Sequence, residues 1–124
     1  DELLIVPMDA TLIEQVLINL MENSIRHSGS PLPISIRVSK KKIGAVFTIS
    51  DKGKGIDPSR IPDIFDGKPY KGSTDSSRGL GIGLSICKSI ILAHDGKIFA
   101  ENNTNGGASF TFVLPMKGEH KYAQ

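Results

Sequence analysis

The sequence predicts an α/β domain, and three features carry this prediction. Two segments place apolar residues at the 3.6-residue spacing of an amphipathic helix, five shorter segments have the composition of strands, and glycine, proline and serine separate them. A chain of 124 residues with 39% hydrophobic residues is long enough to bury one core. We therefore expect a single domain in which helices pack on a sheet.

Two helices are predicted. The first runs from Asp9, whose carboxylate suits an N-cap, to about His27. Its apolar stripe consists of Leu12, Ile13, Val16, Leu17, Leu20, Met21 and Ile25. The second helix is predicted from about Gly83 to Ala93. Its core candidates are Ile86, Ile90 and Ile91.

Strands are predicted at residues 3–6, 34–38, 45–49, 97–101 and 109–114. The turn Lys40–Gly44 joins the second and third strands as a hairpin, and Asn102–Gly107 joins the last two. Between Asp57 and Arg78 the periodicity is lost, apart from a short helix expected around Ser59–Phe65. Long loops inside compact domains are usually functional lids or disordered, and we place a lid at about 57–78.

Composition argues against several classes of function. The net charge of +2 is too small for a nucleic-acid-binding surface. The single cysteine, Cys87, cannot form an internal disulfide and fits a reducing compartment. No apolar run reaches the roughly 18 residues of a membrane span, and no signal peptide opens the chain. Because the chain starts at Asp1 without methionine, we expect a fragment of a longer protein, with a disordered tail at 117–124.

A glycine-rich run precedes the second predicted helix. Gly79, Gly81 and Gly83 alternate with apolar residues before the helical period begins. Glycines at a helix start expose its free N–H groups, and the helix dipole adds positive potential there. The run therefore favours a phosphate site, although a tight loop-to-helix connection has the same pattern. Its spacing fits neither a P-loop nor the dinucleotide fingerprint.

Three polar residues of the first helix share one face. Asn19, Asn23 and Arg26 lie four and three residues apart, with both amides at the edge of the apolar stripe. The Asn23 carbonyl is a hard oxygen donor suited to magnesium, and Arg26 can form charge-assisted bonds with phosphate. The alternative is an ordinary polar margin of a surface helix.

A carboxylate and two glycines follow the third predicted strand. Asp51 can accept a hydrogen bond from an exocyclic amine such as that of adenine, and Gly53 and Gly55 leave room for a flat base. An Asp-Gly turn is the simpler alternative. Gly106 and Gly107 likewise fit either a turn or a part of the same site.

Together these segments resemble the catalytic ATP-binding domain of bacterial sensor histidine kinases, within the group that includes gyrase, Hsp90 and MutL ATPases. The resemblance covers residues 3–115. The matching segments are Glu14–His27 for the N box, Asp51–Ile56, Gly79–Leu84 and Gly106–Gly107 for three glycine boxes, and Ile64–Asp66 for the F box. It implies an α/β two-layer sandwich of the Bergerat type, with a mixed β-sheet and helices on one face, for a domain at 1–116.

The resemblance also implies roles for single residues. Asp51 would bind the adenine amine, and the catalytic set would be Asn23 as magnesium ligand with Asn19 and Arg26 on the phosphates. Relatives that hydrolyse ATP carry a glutamate in place of Asn19; an amide cannot act as a general base, so transfer is favoured over hydrolysis. Further nucleotide-contacting candidates are His27, Gly53, Gly55, Ile56, Phe65, Lys71, Arg78, Gly79, Leu80, Gly81, Ile82, Gly83 and Leu84.

The implied reaction transfers the γ-phosphoryl of Mg²⁺-bound ATP to a histidine on a separate dimerisation domain, with a response regulator acting through the full-length protein. Neither His94 nor His120 sits in a recognisable acceptor sequence. We expect no nucleic acid, no direct membrane contact and a monomeric isolated domain. The N box and the final glycine turn look like the potassium-responsive KdpD subfamily, whereas the segment Asp66–Lys71 departs from the family pattern. Two alternatives remain, a protein-serine kinase of the anti-sigma type and a nucleotide-binding module without transfer.

Overall fold

Two helices and four strands form the domain. The structure, a computed structural model, describes residues 6–67 and 75–116, and for 75–82 the backbone alone. Helix α1 spans Ala10–His27, α2 spans Asp75–Ala93, and a short 3-10 helix spans Ile61–Asp63. The strands are β1 (Ser35–Lys41), β2 (Gly44–Ser50), β3 (Lys97–Asn102) and β4 (Ala108–Leu114).

The four strands form one sheet in the order β1-β2-β4-β3, and the three described pairings are antiparallel. Phe110 and Phe112 of the central strand β4 are buried against Val16 and Leu20 of α1 and Ile91 of α2. Full burial of one such side chain contributes about 1.5–3 kcal/mol. The predicted α/β two-layer class is confirmed, and the predicted strand at 3–6 lies outside the described residues except for its last residue.

Helix α1 forms where it was predicted. The Asp9 carboxylate accepts the Leu12 N–H at 3.2 Å as the N-cap, and Ile13, Val16 and Leu20 are buried. The prediction that the whole stripe is buried is wrong for two of its members, because Leu12 is 41% exposed and Ile25 is 66% exposed. Each lies one residue, about 100° around the helix, from a buried position, so the contact with the sheet is narrower than the stripe.

Helix α2 begins earlier than predicted. It starts at Asp75, so the glycine run and residues 75–78 of the predicted lid lie inside the helix. Helical hydrogen bonds satisfy the backbone groups of this segment, against a cost of about 1 kcal/mol per glycine relative to alanine. The core prediction for Ile86 is also wrong, since it is 44% exposed and its neighbour Cys87 is buried instead.

Two turns differ in detail from the prediction. The first hairpin is confirmed, but Lys40 and Lys41 belong to β1, so its turn is shorter than the lysine tract suggested. The short helix expected around Ser59–Phe65 is reduced to the 3-10 turn, where Asp57 Oδ1 accepts the Ser59 N–H at 3.0 Å just before it. Among the described residues, no helix combines the length and the apolarity needed to cross a membrane.

One buried hydroxyl gives a test of the packing. Within the described part of the chain, Ser24 Oγ is the fully buried side-chain polar atom without a hydrogen-bond partner. Ser24→Ala removes an unsatisfied group and improves helix propensity, so we expect the free energy of unfolding to rise by about 1 kcal/mol in urea titrations. Ser28→Ala is the matched control, because the buried Ser28 hydroxyl accepts the Ser30 N–H at 3.2 Å and its removal should destabilise. A lower urea midpoint for Ser24→Ala would contradict this account.

Candidate functional site

Helix α1 and its C-cap contact two of the glycine-rich segments. Asn19 Nδ2 donates to the Gly83 carbonyl at 3.4 Å, which joins the N box to the second glycine box. At the other end of α1, the Ser28 carbonyl accepts the Lys54 N–H at 2.9 Å, which joins the helix end to the first glycine box. These segments are distant in sequence and neighbours in the fold.

Asp51 joins the first glycine box to the third. It is 5% exposed, and its Oδ1 accepts the Gly53 N–H at 2.9 Å and the Ala108 N–H at 3.2 Å. Among the described residues, Oδ2 has no hydrogen-bond partner. The carboxylate is therefore held in one orientation by two main-chain donors, and its second oxygen is left to accept a hydrogen bond from a ligand.

Glycine is required at two of these contacts because the backbones approach closely. A Cβ added at Gly53 would overlap the backbone of Ser28 at the end of α1. A Cβ added at Gly107, where φ is +87°, would overlap the backbone of Asp51. The glycines thus permit close packing of the loop that carries the carboxylate, in addition to leaving space for a ligand.

The two asparagines of α1 differ in their surroundings. Asn23 is 5% exposed, and its amide has no hydrogen-bond partner among the described residues. Asn19 is half-buried, and its Oδ1 accepts from Gln15 Nε2 at 2.8 Å. Arg26 and Glu22 are exposed. Because the amide atoms of Asn23 are not fully buried, solvent reaches them and they are free to bind a ligand.

His27 is half-buried at the last turn of α1. Burial lowers the pKa of its imidazole below the usual 6.5, and the positive charges of Lys54, Arg60 and Arg26 lower the pKa further. The ring is therefore neutral at pH 7. A neutral imidazole beside the first glycine box offers a flat surface without adding charge to it.

The apolar candidates lie at the edge of the core. Phe65 packs edge-to-face on Phe110 with ring centroids 6.2 Å apart, so the F box is anchored to the central strand. Ile56 and Ile64 are partly buried against the same cluster, and Leu84 is 3% exposed within it.

The remaining candidates are only partly described. Residues 78–82, which are Arg78, Gly79, Leu80, Gly81 and Ile82, are in α2, and the structure describes their backbone alone. Lys71 lies outside the described residues. The prediction that the glycines precede a helix is wrong, because they occupy its second and third turns.

Sequence reasoning missed three residues that hold the site together. They are Ser28, Asn102 and Asn103, which bond to the backbone of residues 51–56. Serine and asparagine near glycine read locally as turn residues, and nothing in the local pattern indicates partners up to 52 residues away.

Comparison with known proteins defines the class of this domain. The family model described as histidine kinase-, DNA gyrase B- and HSP90-like ATPase matches residues 8–118, and the chain belongs to this family. The predicted resemblance to the ATP-binding domains of sensor histidine kinases is thereby confirmed.

Individual relatives are sensor kinases. The chain is 48% identical over 119 residues to the sensor protein KdpD of Clostridium acetobutylicum and 36% identical over 118 residues to that of Escherichia coli. Each match covers 94% of this chain and 13% of the relative, so the chain spans about an eighth of the length of these proteins.

Solved structures show the same fold. The catalytic domain of the histidine kinase ThkA is 37% identical with a TM-score of 0.74, over 90% of this chain and 70% of that one. The mycobacterial sensor histidine kinase MprB is 26% identical with a TM-score of 0.77, over 90% of this chain and 76% of that one.

The lowered pKa of His27 predicts how stability depends on pH. In the unfolded chain His27 takes up a proton near pH 6.5, whereas in the folded domain it takes up the proton only at lower pH. The contribution of neutral His27 to the free energy of unfolding is therefore complete above pH 6.5 and is lost as the pH falls below that value. We expect the free energy of unfolding to decrease between pH 7 and 5, and to decrease less in His27→Gln. Urea titrations at several pH values measure both slopes. Parallel slopes for the two proteins would contradict the prediction.

Proposed function

We propose that this domain binds Mg²⁺-bound ATP and delivers its γ-phosphoryl to a histidine on a separate dimerisation domain of a sensor kinase. The observation that carries the proposal is the Asp51 carboxylate, buried and fixed through Oδ1, with Oδ2 unpartnered among the described residues. A carboxylate held in this way accepts a hydrogen bond from an exocyclic amine, as adenine provides, and repels the carbonyl that guanine has at the same position.

The end of the proposed site that would bind adenine is built around the Asp51 carboxylate. Gly53, Gly55 and Ile56 would line the base, and the neutral ring of His27 would stack on it from the end of α1. Phe65, anchored on the core, would close the far side. Burial of the flat base among these groups supplies apolar contact, while Asp51 supplies selectivity.

The phosphate end is built on the polar face of α1. Among the described residues, no group of three acidic, thiol or imidazole side chains could hold a metal ion. The unpartnered Asn23 oxygen fits one position of an octahedral magnesium whose other ligands are phosphate oxygens and water. When bound, the metal would neutralise charge on the phosphates.

Cations and glycines complete the phosphate end. Asn19 and Arg26 would contact the phosphates, with Arg26 exposed and able to reach out. Lys71, Arg78 and the segment 79–84 would follow the phosphate chain below the lid that the sequence predicts at about 57–78. In the structure the second glycine box lies inside α2, so its N–H groups would have to leave helical hydrogen bonds in order to bind phosphate.

Transfer is favoured over hydrolysis by the chemistry of α1. Asn19 has no basic group to activate water, and its amide is already bonded to Gln15 and Gly83. Glu22 is exposed and lies about 100° around the helix from Asn23. Since neither His94 nor His120 sits in a recognisable acceptor sequence, the acceptor histidine would belong to another domain, and a response regulator would receive the phosphoryl group from it. We propose that residues 1–116 form this domain of a sensor kinase and that the reaction takes place in the cytoplasm.

The similarity to KdpD suggests a potassium-responsive parent protein. A serine kinase built on the same fold is the alternative, and the chemistry of the product distinguishes the two. Incubation with ATP and the dimerisation domain of KdpD should give an acid-labile phosphohistidine. An acid-stable phosphoserine on a protein substrate would support the alternative.

Asp51→Asn tests the adenine end. Loss of a charged hydrogen bond costs about 1.5–3 kcal/mol, so we expect the affinity for ATP to fall about 10- to 100-fold in calorimetry, with the fold retained. Asp95→Asn is the control for the same change of charge, because Asp95 is exposed beyond the end of α2. Wild-type affinity in a folded Asp51→Asn protein would refute the adenine role.

Asn23→Ala tests the metal. We expect wild-type binding of ATP to be tighter with Mg²⁺ than with a chelator, and Asn23→Ala to lose most of this difference together with transfer to the dimerisation domain. The exposed neighbour Glu22 supplies the control Glu22→Ala, which should behave as wild type. If Asn23→Ala keeps the magnesium dependence and the wild-type rate of transfer, Asn23 is not the ligand.

A further inference from the structure

Two consecutive asparagines at the end of β3 hold both ends of the segment 51–56. Asn102 Nδ2 donates to the Ile56 carbonyl at 2.8 Å, and Asn102 Oδ1 accepts the Ile56 N–H at 2.7 Å. Asn103 Nδ2 donates to the Asp51 carbonyl at 3.2 Å. One carboxamide therefore pairs with both main-chain groups of Ile56, as a neighbouring strand would.

The segment is shaped to receive this amide. Gly55 has a φ of +82°, and a Cβ added there would lie 2.7 Å from Asn102 Oδ1. A side chain at position 55 would thus meet both a strained backbone and the clamping oxygen. Gly55 and Asn102 are complementary in shape, which indicates a specific contact between the two loops.

Asn103 is itself fixed from the other side. Its N–H donates to the Gly107 carbonyl at 2.9 Å, and its Oδ1 accepts from the Ser109 hydroxyl. The amide that reaches Asp51 is therefore anchored on the turn between β3 and β4. The spacing between the purine-reading carboxylate and the base-lining residues is set from this turn.

We propose that Asn102 and Asn103 are positioning residues that fix the distance between Asp51 and the Gly55–Ile56 wall, and so set the preference for adenine over guanine. This inference rests on the proposed function, in which Asp51 accepts the adenine amine. Without the two amides, Asp51 keeps its bonds to Gly53 and Ala108, but the wall opposite it is free to shift and to admit another purine.

The test measures affinities for ATP and GTP by calorimetry, well below the melting temperature of each variant. Asn102→Ala removes two hydrogen bonds, so we expect about tenfold weaker binding of ATP and a smaller ATP-to-GTP affinity ratio. Asn103→Ala should weaken ATP about fivefold, with the same direction of change in the ratio. Asn102→Asp keeps the acceptor for the Ile56 N–H and loses the donor to the Ile56 carbonyl. Its affinity for ATP should therefore lie between those of Asn102→Ala and wild type.

Asn105→Ala is the matched control. Asn105 is exposed in the same turn and forms no hydrogen bond with the described residues, so this variant should bind both nucleotides as wild type. Stability lost without a change in the ATP-to-GTP ratio would make the asparagines purely structural and overturn the inference. If Asn102→Ala binds ATP and GTP with the same two affinities as wild type, the inference is also wrong, while the proposed function stands.

A second measurement does not depend on nucleotide. Gly55→Ala should lower the melting temperature less in the Asn102→Ala background than in wild type, because the clash with the amide oxygen is gone and only the backbone strain remains. Equal losses in both backgrounds would overturn the clamp itself. Failure of the wild-type domain to bind any ATP would instead reject the proposed function.

Discussion

The pairing of β2 with β4 is the constraint on which the candidate site depends. The last paired residues of this ladder are Ser50 and Ser109, and Asp51 continues it by donating its N–H to the Ala108 carbonyl at 2.9 Å. Its side chain then takes the place of the next main-chain acceptor, because Oδ1 receives the Ala108 N–H. The central and most buried strand of the sheet thus places the carboxylate, and a loop alone could not hold it as firmly.

The rest of the site is assembled around that point by main-chain contact. The backbones at Gly53 and Gly107 approach α1 and Asp51 so closely that neither position admits a side chain. The proposed nucleotide site would therefore have walls of peptide groups, whose positions are fixed by the fold, and few flexible side chains. Such walls suit a flat base, which is recognised by shape and by one polar edge.

Local sequence patterns predicted the elements that depend on local physics. The N-cap at Asp9, the hairpin between β1 and β2 and the helical period of α1 are all determined within a few residues. The start of α2 was not, since extending a helix through three glycines is decided by about 1 kcal/mol per residue, which no local pattern resolves. The exposure of Ile25 and Ile86 depends on how wide a face the sheet covers, and that is a property of tertiary packing.

The site shows the same division. Asp51, Gly53 and Gly55 were predicted as site candidates because a carboxylate followed by glycines can bind a flat base with an amine, and the family resemblance favoured this interpretation over an Asp-Gly turn. Asn102 was not predicted, because its partner Ile56 lies 46 residues away and its amide bonds to main-chain groups, which every residue type has. Positioning residues of this kind become visible only when hydrogen bonds are assigned atom by atom.

The register of the two helices links the separate ends of the site. Three polar contacts run along the antiparallel pair: Asn19 to Gly83, the Cys87 thiol to the Val16 carbonyl at 3.8 Å, and the Asp9 N–H to His94 Nε2 at 2.9 Å. Burial raises the pKa of the Cys87 thiol to about 11, so it stays protonated and acts as a donor at neutral pH.

His94 is held in one tautomer by its two partners. Its Nε2 accepts a main-chain N–H, so its Nδ1 carries the proton that is donated to the Ile90 carbonyl at 2.8 Å. Each of the three contacts fits a single sliding position of α2 against α1, because a shift of one turn, about 5.4 Å, would break all of them. Since α1 carries Asn23 and α2 carries the second glycine box, the helix register fixes the position of one relative to the other, and the proposed function places the phosphates between them.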